Sequence, residues 1–208
     1  MLAKRLGYLY IDSGSMYRAV ALYALDNGLA EGKKVDVEGL VAALDQIDLT
    51  FERDGAEMDL LLNGVEIEAF IRNMRVSSVV SPVSTIAEVR SKLVRLQQAI
   101  GERGGVIMDG RDIGSVVFPS AELKIFLTAS IEERGRRRWA ELEARGTHLS
   151  MSAVLDNLME RDLIDSQRAV SPLIQAKDAI LVDNTSMDVH QTLNRIVEEV
   201  ERIRELNV

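Results

Sequence analysis

The stretch Gly105-Val106-Ile107-Met108-Asp109-Gly110-Arg111-Asp112-Ile113-Gly114-Ser115-Val116-Val117-Phe118-Pro119 decides how the 208 residues are read. Val106 to Met108 is a short apolar run of the kind that forms a strand buried on both faces of a parallel sheet. It stops abruptly at Asp-Gly-Arg-Asp, where no core residue belongs, and open α/β sheets bind ligands at such carboxyl ends. Gly110 and Gly114 let backbone approach a ligand closely, and Arg111 offers a planar fork suited to phosphate or carboxylate. Asp109 and Asp112 offer acceptors or metal ligands. A solvated turn with an incidental salt bridge is the plain alternative at this point.

A second strand with the same kind of ending lies upstream. Tyr8-Leu9-Tyr10-Ile11 reads as a buried strand, followed at once by Asp12-Ser13-Gly14-Ser15 and an apolar helical pattern through Met16, Val20 and Leu25. Serines at such a start cap free backbone amides, and those amides with the helix dipole form an anion site. Arg18, one turn in, is placed to close over a phosphate; a plain cap with a surface arginine is the alternative. Ahead of this strand, Leu2 and Leu6 beside Lys4 and Arg5, with Gly7 as a stop, read as the tail of a helix without its head.

Between the two strands the pattern changes. Asp36 caps a helix running to Gln46, and then Leu49 to Arg53 and Met58 to Asn63 read as antiparallel strands, with a turn at Asp54-Gly55. These form an inserted subdomain from about Val35 to Ser84. A long helix follows from about Thr85 to Glu102 and carries Arg90 and Arg95. Beyond the central motif, Leu123 to Leu127 is a strand, and Ala129-Ser130 opens a helix with the basic run Arg134, Arg136, Arg137 and Arg138. A solvated face is one reading of that run and a clamp on a polyphosphate the other. A further helix carries Arg161, Asp165 and Arg168 at spacings of four and three, hence on one face, stopped by Pro172. Ala179 to Asp183 is another strand, and Met187 to Glu205 is the closing helix, with Asp188 as its cap.

Composition narrows the classes. The formal net charge of −8, from 25 Lys and Arg against 33 Asp and Glu, argues against general binding to a nucleic acid polymer or to an anionic membrane, both of which need a basic field. There is no cysteine, and so no disulfide or thiolate site; His148 and His190 are far apart and read as surface residues. No signal-peptide pattern, repeat or bilayer-length apolar run is legible, so the expected location is cytoplasmic.

Taken together, Asp12-Ser-Gly-Ser-Met-Tyr-Arg18, Asp109-Gly-Arg-Asp112, Glu132-Glu-Arg-Gly-Arg-Arg-Arg138 and Glu160-Arg-Asp with Asp165 and Arg168-Ala-Val-Ser-Pro172 resemble the bacterial cytidylate kinases over essentially the whole chain. The resemblance implies an α/β fold, the P-loop nucleoside monophosphate kinase-like three-layer fold with a parallel sheet. Its core would span 1–34, 85–128 and 171–208, its antiparallel NMP-binding insert about 35–84, and its helical lid about 129–170. It implies transfer of a phosphoryl group from ATP, accompanied by Mg²⁺, to CMP or dCMP, by a monomer. Ser13 and Arg18 would hold the acceptor phosphate with Arg161 and Arg168, and Asp165 would contact the sugar. Ser81, Arg90 and Asp112 would recognise cytosine, whose amino donor beside ring and carbonyl acceptors suits a carboxylate next to an arginine. Arg111, Arg134, Arg137 and Arg138 would neutralise the transferring phosphates, since positioning and charge carry most of this chemistry.

One part of the family pattern is not present in these residues. No Gly-x-x-x-x-Gly-Lys-Ser/Thr run occurs anywhere in the 208 residues, although in the resembled family it lies just before the stretch matching Met1 to Gly7. With that loop and its strand would go the amides that cradle ATP phosphates, the bridging lysine and the hydroxyl that ligates Mg²⁺. The expectation is therefore an impaired kinase whose start was set late or removed, with a catalytically inactive CMP-binding module or a truncated fragment as the alternatives.

Overall fold

The computed structural model describes residues 1–54 and 57–206. It divides into two compact units, Met1–Val117 and Phe118–Val208. The first contains α1 (Leu2–Leu6), β1 (Leu9–Asp12), α2 (Ser13–Asp26), β2 (Ala30–Glu31), β3 (Lys34–Val35) and α3 (Val37–Ala42). A 3₁₀ turn (Leu44–Gln46) leads to β4 (Leu49–Asp54), β5 (Glu57–Leu62) and β6 (Val65–Glu66). Then come α4 (Glu68–Ile71), α5 (Met74–Ser84), α6 (Ala87–Gly101), β7 (Val106–Asp109) and one π turn (Ile113–Val117).

The two apolar runs singled out in the sequence pair with each other. β1 and β7 lie parallel with Ile11 opposite Met108 and Asp12 opposite Asp109, so both strands deliver a carboxylate at the same edge. α2 leaves β1 without a loop and is buried on nearly every side, from Met16 to Ala24. A helix apolar all round needs cover from several directions, and here α5 provides part of it through Val76, Val79 and Val83. Leu40, Ile47, Leu49 and Leu60 from the inserted stretch join the same core, as do Val89 and Leu93 of α6.

The antiparallel excursion is a three-stranded sheet ordered β4-β5-β6, its first pair in register from Leu49 opposite Leu62 to Asp54 opposite Glu57. The turn expected at Asp54-Gly55 falls partly outside the described residues. Ser77 to Pro82, which shows no clear period in the sequence, lies within α5, with Pro82 in its last turn.

The second unit contains β8 (Ile125–Thr128), α7 (Ile131–Ala144), α8 (Met151–Gln167), β9 (Ile180–Asp183) and α9 (Val189–Leu206). β8 and β9 are parallel, with Leu127 opposite Val182 and Thr128 opposite Asp183. β8 starts two residues later than the sequence suggests because Lys124 is used otherwise: its Nζ donates to Pro119 O at 2.5 Å and to Asp178 Oδ2 at 2.6 Å. The cap expected at Asp188 forms, its side-chain oxygen accepting from the Gln191 amide, and Ser130 and Ser150 cap α7 and α8 in the same way by accepting from the amides of Glu133 and Ala153. α7 and α8 approach closely where Gly135 faces Leu155; a Cβ at Gly135 would stand 2.5 Å from Leu155 Cδ2.

Candidate functional site

In the first unit the site begins at the carboxyl ends of β1 and β7. The residue that caps α2 is Asp12, and not one of the serines: Asp12 Oδ1 accepts from the Ser15 amide at 3.2 Å, and Oδ2 accepts from Ser15 Oγ at 2.8 Å. Asp is as good a cap as Ser, and its charge suits the positive end of the helix. Ser13 is turned instead towards the neighbouring strand, where its Oγ donates to Asp109 O at 2.7 Å. That contact depends on Gly110, because a Cβ there would lie 2.3 Å from Ser13 Oγ. Arg18 folds back over the turn, donating from Nη2 to Asp12 Oδ2 at 2.5 Å and to Ser15 Oγ at 3.0 Å.

The electrostatics of the two strand-end carboxyls differ. Burial works to raise the Asp12 pKa, but Arg18, the Ser15 hydrogen bond and Arg72 together outweigh it, and the carboxyl is held below its ordinary range. Asp109 shifts the other way. Desolvation and the neighbouring Asp12 charge raise it, against a hydrogen bond from Tyr10 and the charge of Arg111. Tyr10 Oη donates to Asp109 Oδ1 at 3.1 Å, and desolvation together with the two aspartates pushes the phenol well above its usual value. Arg111 itself lies exposed on the turn that follows.

Asp112 is buried, and so is Arg90, which reaches it from α6. Their side chains are 5% and 2% exposed, and Arg90 Nη2 donates to Asp112 Oδ2. Arg90 also donates from Nη1 to Ser84 O at 3.1 Å, and its Cζ stands 5.3 Å from the centre of the Tyr17 ring. Ser81 joins through one intermediary, since Ser84 Oγ donates to Ser81 O at 2.8 Å. Three residues far apart in sequence thus meet around one buried guanidinium, whose Nε has no hydrogen-bond partner among the described residues. The π turn after Asp112 fixes its backbone: the Val116 amide donates to Asp112 O at 2.8 Å. Such turns recur at functional sites. Tyr17, Ser84 and Arg72 are the members that sequence reasoning missed. Tyr17 carries no signal beyond its place one residue before Arg18.

In the second unit the basic residues are engaged with acids and carbonyls of their own unit. Arg134 donates from Nη1 to Asp162 Oδ2 at 2.6 Å and from Nε to Ala129 O at 3.1 Å. Arg137 holds Glu133 at 2.7 Å, and also the Asn184 side chain, Asn184 O and Met187 O, which ties α7 to the chain after β9. Arg138 pairs with Glu141 at 2.8 Å. Asp165 and Arg168 are both buried and stand 3.4 Å apart, with Arg168 Nε donating to Ser171 O at 2.6 Å. Arg168 lies just beyond α8 in extended backbone rather than on its last turn, so its guanidinium returns to Asp165 from outside the helix. Arg161 is half-buried on α8, one turn before Asp165.

Parallel strands that end in carboxylates beside a helix start are what an α/β ligand-binding fold presents, and comparison with known proteins gives the class. A family model described as cytidylate kinase matches residues 1–202. A cytidylate kinase of Bacteroides thetaiotaomicron is 47% identical over 204 residues, covering 97% of this chain and 89% of the relative. One of Parabacteroides distasonis is 49% identical over 200 residues, covering 95% and 87%. One of Porphyromonas gingivalis is 46% identical over 206 residues, covering 97% and 89%. The chain belongs to the cytidylate kinase family, and so to the phosphotransferases. No helix among the described residues is long and apolar enough to cross a membrane.

Proposed function

We propose that this protein transfers the γ-phosphoryl group of ATP to CMP or dCMP, giving CDP or dCDP. The observation that carries the reading is the buried Arg90–Asp112 pair held by Ser84 and Tyr17. A desolvated carboxylate beside a desolvated guanidinium presents an acceptor next to donors, the complement of the cytosine edge. Uracil, with a carbonyl in place of the amino group, would leave Asp112 facing another acceptor, and unpaired buried polar groups cost enough to discriminate strongly. Ser81 completes that recognition. Ser13 and Arg18 hold the acceptor phosphate, whose oxygen attacks the γ-phosphorus as the bond to the β,γ-bridging oxygen breaks, and ADP leaves. Arg111 neutralises charge developing on the transferring group. The family resemblance assigns Arg161, Asp165 and Arg168 to the acceptor nucleotide, Arg134, Arg137 and Arg138 to the transferring phosphates, about 35–84 to the acceptor domain and about 129–170 to the lid. A cytoplasmic monomer acting on small nucleotides, with no nucleic acid or membrane partner, completes the reading.

Mg²⁺ belongs to the ATP substrate in this reading. An ion carried by the nucleotide keeps several of its waters, binds phosphate oxygens and takes at most one or two carboxylates from the protein.

The test is titration of the purified chain with CMP, UMP and Mg-ATP, followed by an assay of phosphoryl transfer. CMP is expected to bind more tightly than UMP, and a preference for UMP would overturn the base assignment. The 208 residues contain no Gly-x-x-x-x-Gly-Lys-Ser/Thr run, so we expect this polypeptide assayed alone to turn over far more slowly than a version carrying such a loop ahead of it. Equal turnover would defeat that expectation. CMP binding without ATP binding would favour a catalytically inactive CMP-binding module.

A further inference from the structure

Arg137 differs from its basic neighbours on α7 in what it holds. Its Nε donates to Glu133 Oε1 at 2.7 Å, Nη1 to Asn184 Oδ1 at 3.0 Å, and Nη2 to Asn184 O at 2.7 Å and to Met187 O at 3.1 Å. These bonds engage four of the five N–H groups of a guanidinium, and all but one of them end on 184–187, the segment that leaves β9. The same segment is tied to the start of α7 a second time, where the Ser130 amide donates to Thr185 Oγ1 at 2.9 Å. The Asn184 amide donates to Thr128 O at 2.8 Å, which carries the β8–β9 pairing one bond further. Arg138, by contrast, pairs with Glu141 of its own helix, and Arg134 with Asp162 of α8, in pairs that water reaches. To reach a phosphate, Arg137 would have to release 184–187. Asn184 is buried, and withdrawing a donor from a buried acceptor is costly.

The geometry points to Arg137 as a positioning residue for the donor nucleotide: it fastens 184–187 to α7 and does not touch the transferring phosphates. The inference rests on the CMP kinase reading and moves Arg137 within it, from the phosphates to the segment after β9. β8 and β9 end together at Thr128 and Asp183, and parallel α/β sheets take their ligands beyond such ends. Arg134, about one turn from Arg137 on α7, is assigned to the phosphates of ATP, so the segment that Arg137 holds borders ATP in this reading. A planar fork with fixed donor directions can hold two carbonyls and a side-chain amide oxygen at once, and an ammonium on a flexible stem cannot reproduce that. The fork, and not the charge alone, is what position 137 requires. A group that stabilises charge on the phosphoryl group in flight acts on kcat, whereas one that shapes the wall against which the donor binds acts on KM for ATP.

The experiment places Arg137→Gln, Arg137→Lys and Asn184→Ala in the version that carries a Gly-x-x-x-x-Gly-Lys-Ser/Thr loop ahead of residue 1, and measures steady-state kinetics at varied ATP and saturating CMP. Amide hydrogen exchange of the same variants in the chain without that loop reports on 184–187. Arg137→Gln is expected to raise KM for ATP about fivefold or more while kcat stays within about twofold, the pattern of lost ground-state binding, with faster exchange at 184–187. Arg137→Lys, which keeps charge without the fork, should behave like Arg137→Gln. Asn184→Ala should raise KM in the same direction, and adding it to Arg137→Gln should cost less than the sum of the two, since both side chains act through one contact. A fall in kcat of about tenfold or more that Arg137→Lys largely restores would put Arg137 on the phosphates. Unchanged KM and kcat, with or without faster exchange, would make it no more than a structural tie. Either result overturns the inference and leaves the CMP kinase reading standing. Absence of CMP phosphorylation by the unaltered loop-bearing version would overturn that reading and this inference with it.

Discussion

The charged residues of the first unit and those of the second are built on opposite terms. Arg90 and Asp112 are almost wholly withdrawn from water, and backbone and an aromatic ring hold them in place. Arg134 and Arg138 are tied to acids about as exposed to solvent as they are, and Arg136, itself well exposed, to the less exposed Glu133. A buried pair has paid its desolvation during folding and meets a ligand ready-made, which suits reading a base. Exposed pairs are screened and easily exchanged, which suits the role proposed for Arg134 and Arg138 on the transferring phosphates.

The largest test of that contrast is Asp112→Ala. Removing one partner of a buried pair leaves the other uncompensated, at a cost of about 3–5 kcal/mol, read by chemical denaturation. Arg138→Gln in the second unit should change stability by less than about 1 kcal/mol. Similar losses at the two sites would mean that water reaches Asp112 and would remove the basis for base discrimination by desolvation. Arg90→Met combined with Asp112→Leu should recover most of the stability and none of the CMP binding.

Next in size is Gly110→Ala. The new methyl would fall 2.3 Å from Ser13 Oγ and 2.9 Å from Ile113 Cδ1, so Ser13 must leave Asp109 O or the turn must shift. Overpacking of this kind costs about 1–3 kcal/mol. CMP affinity should fall with stability, because the displaced hydroxyl is the one assigned to the phosphate. A stable variant with full CMP affinity would show that Ser13 does not need its tie to β7.

How much of this was legible follows the range of the interactions. β1 and β7 announce themselves as apolar runs cut off by Asp, and the spacing of Arg161 and Asp165 shows a shared face, because both patterns are local. The cap at Asp12 was misread by one residue: Asp12 and Ser13 are equally good caps by type, and only the position of Asp109 O decides that Ser13 turns away. Arg72 and Tyr17 gave no signal. Each matters through a partner 60 or more residues distant, Asp12 for one and Arg90 for the other, and nothing in the spacing along the chain encodes that approach. Resemblance to a family supplied Ser81, which lies in a stretch without a clear period, and Arg90, which on its helix alone reads as an ordinary surface position.

In the second unit the sharpest case is Glu133, held down to about 2 first by the Arg136 hydrogen bond and then by that of Arg137. A carboxyl depressed in the folded state contributes stability that is present above its unfolded value, 4.5, and is lost as pH falls towards about 2. Glu133→Gln should therefore flatten the unfolding profile between those limits, and raised salt should erase the difference from the unaltered chain. A difference that survives high salt would place Glu133 with the buried pair and not with the exposed ones.

The smallest expected effect distinguishes the two strand-end carboxyls of the first unit. Asp109 is raised above its unfolded value of 3.8 by desolvation and by Asp12. Its folded form therefore binds protons more readily than the unfolded chain, and stability declines as pH rises from 3.8 through the folded value. Asp109→Asn keeps an acceptor for Tyr10 and removes that decline, so it should raise the stability of the chain modestly at pH 7. No gain should appear below the unfolded value, where both forms carry the proton. Asp12→Asn should do the reverse: Asp12 is depressed by Arg18, Ser15 and Arg72 against its burial, so its stabilising contribution is present at neutral pH and fades in acid. Denaturation midpoints of both variants at pH 7 and in acid decide the matter. If Asp109→Asn destabilises at pH 7, the attraction of Arg111 outweighs the repulsion of Asp12, and the strand ends are arranged around the cation of the turn rather than around a carboxylate left at a cost for an incoming ligand.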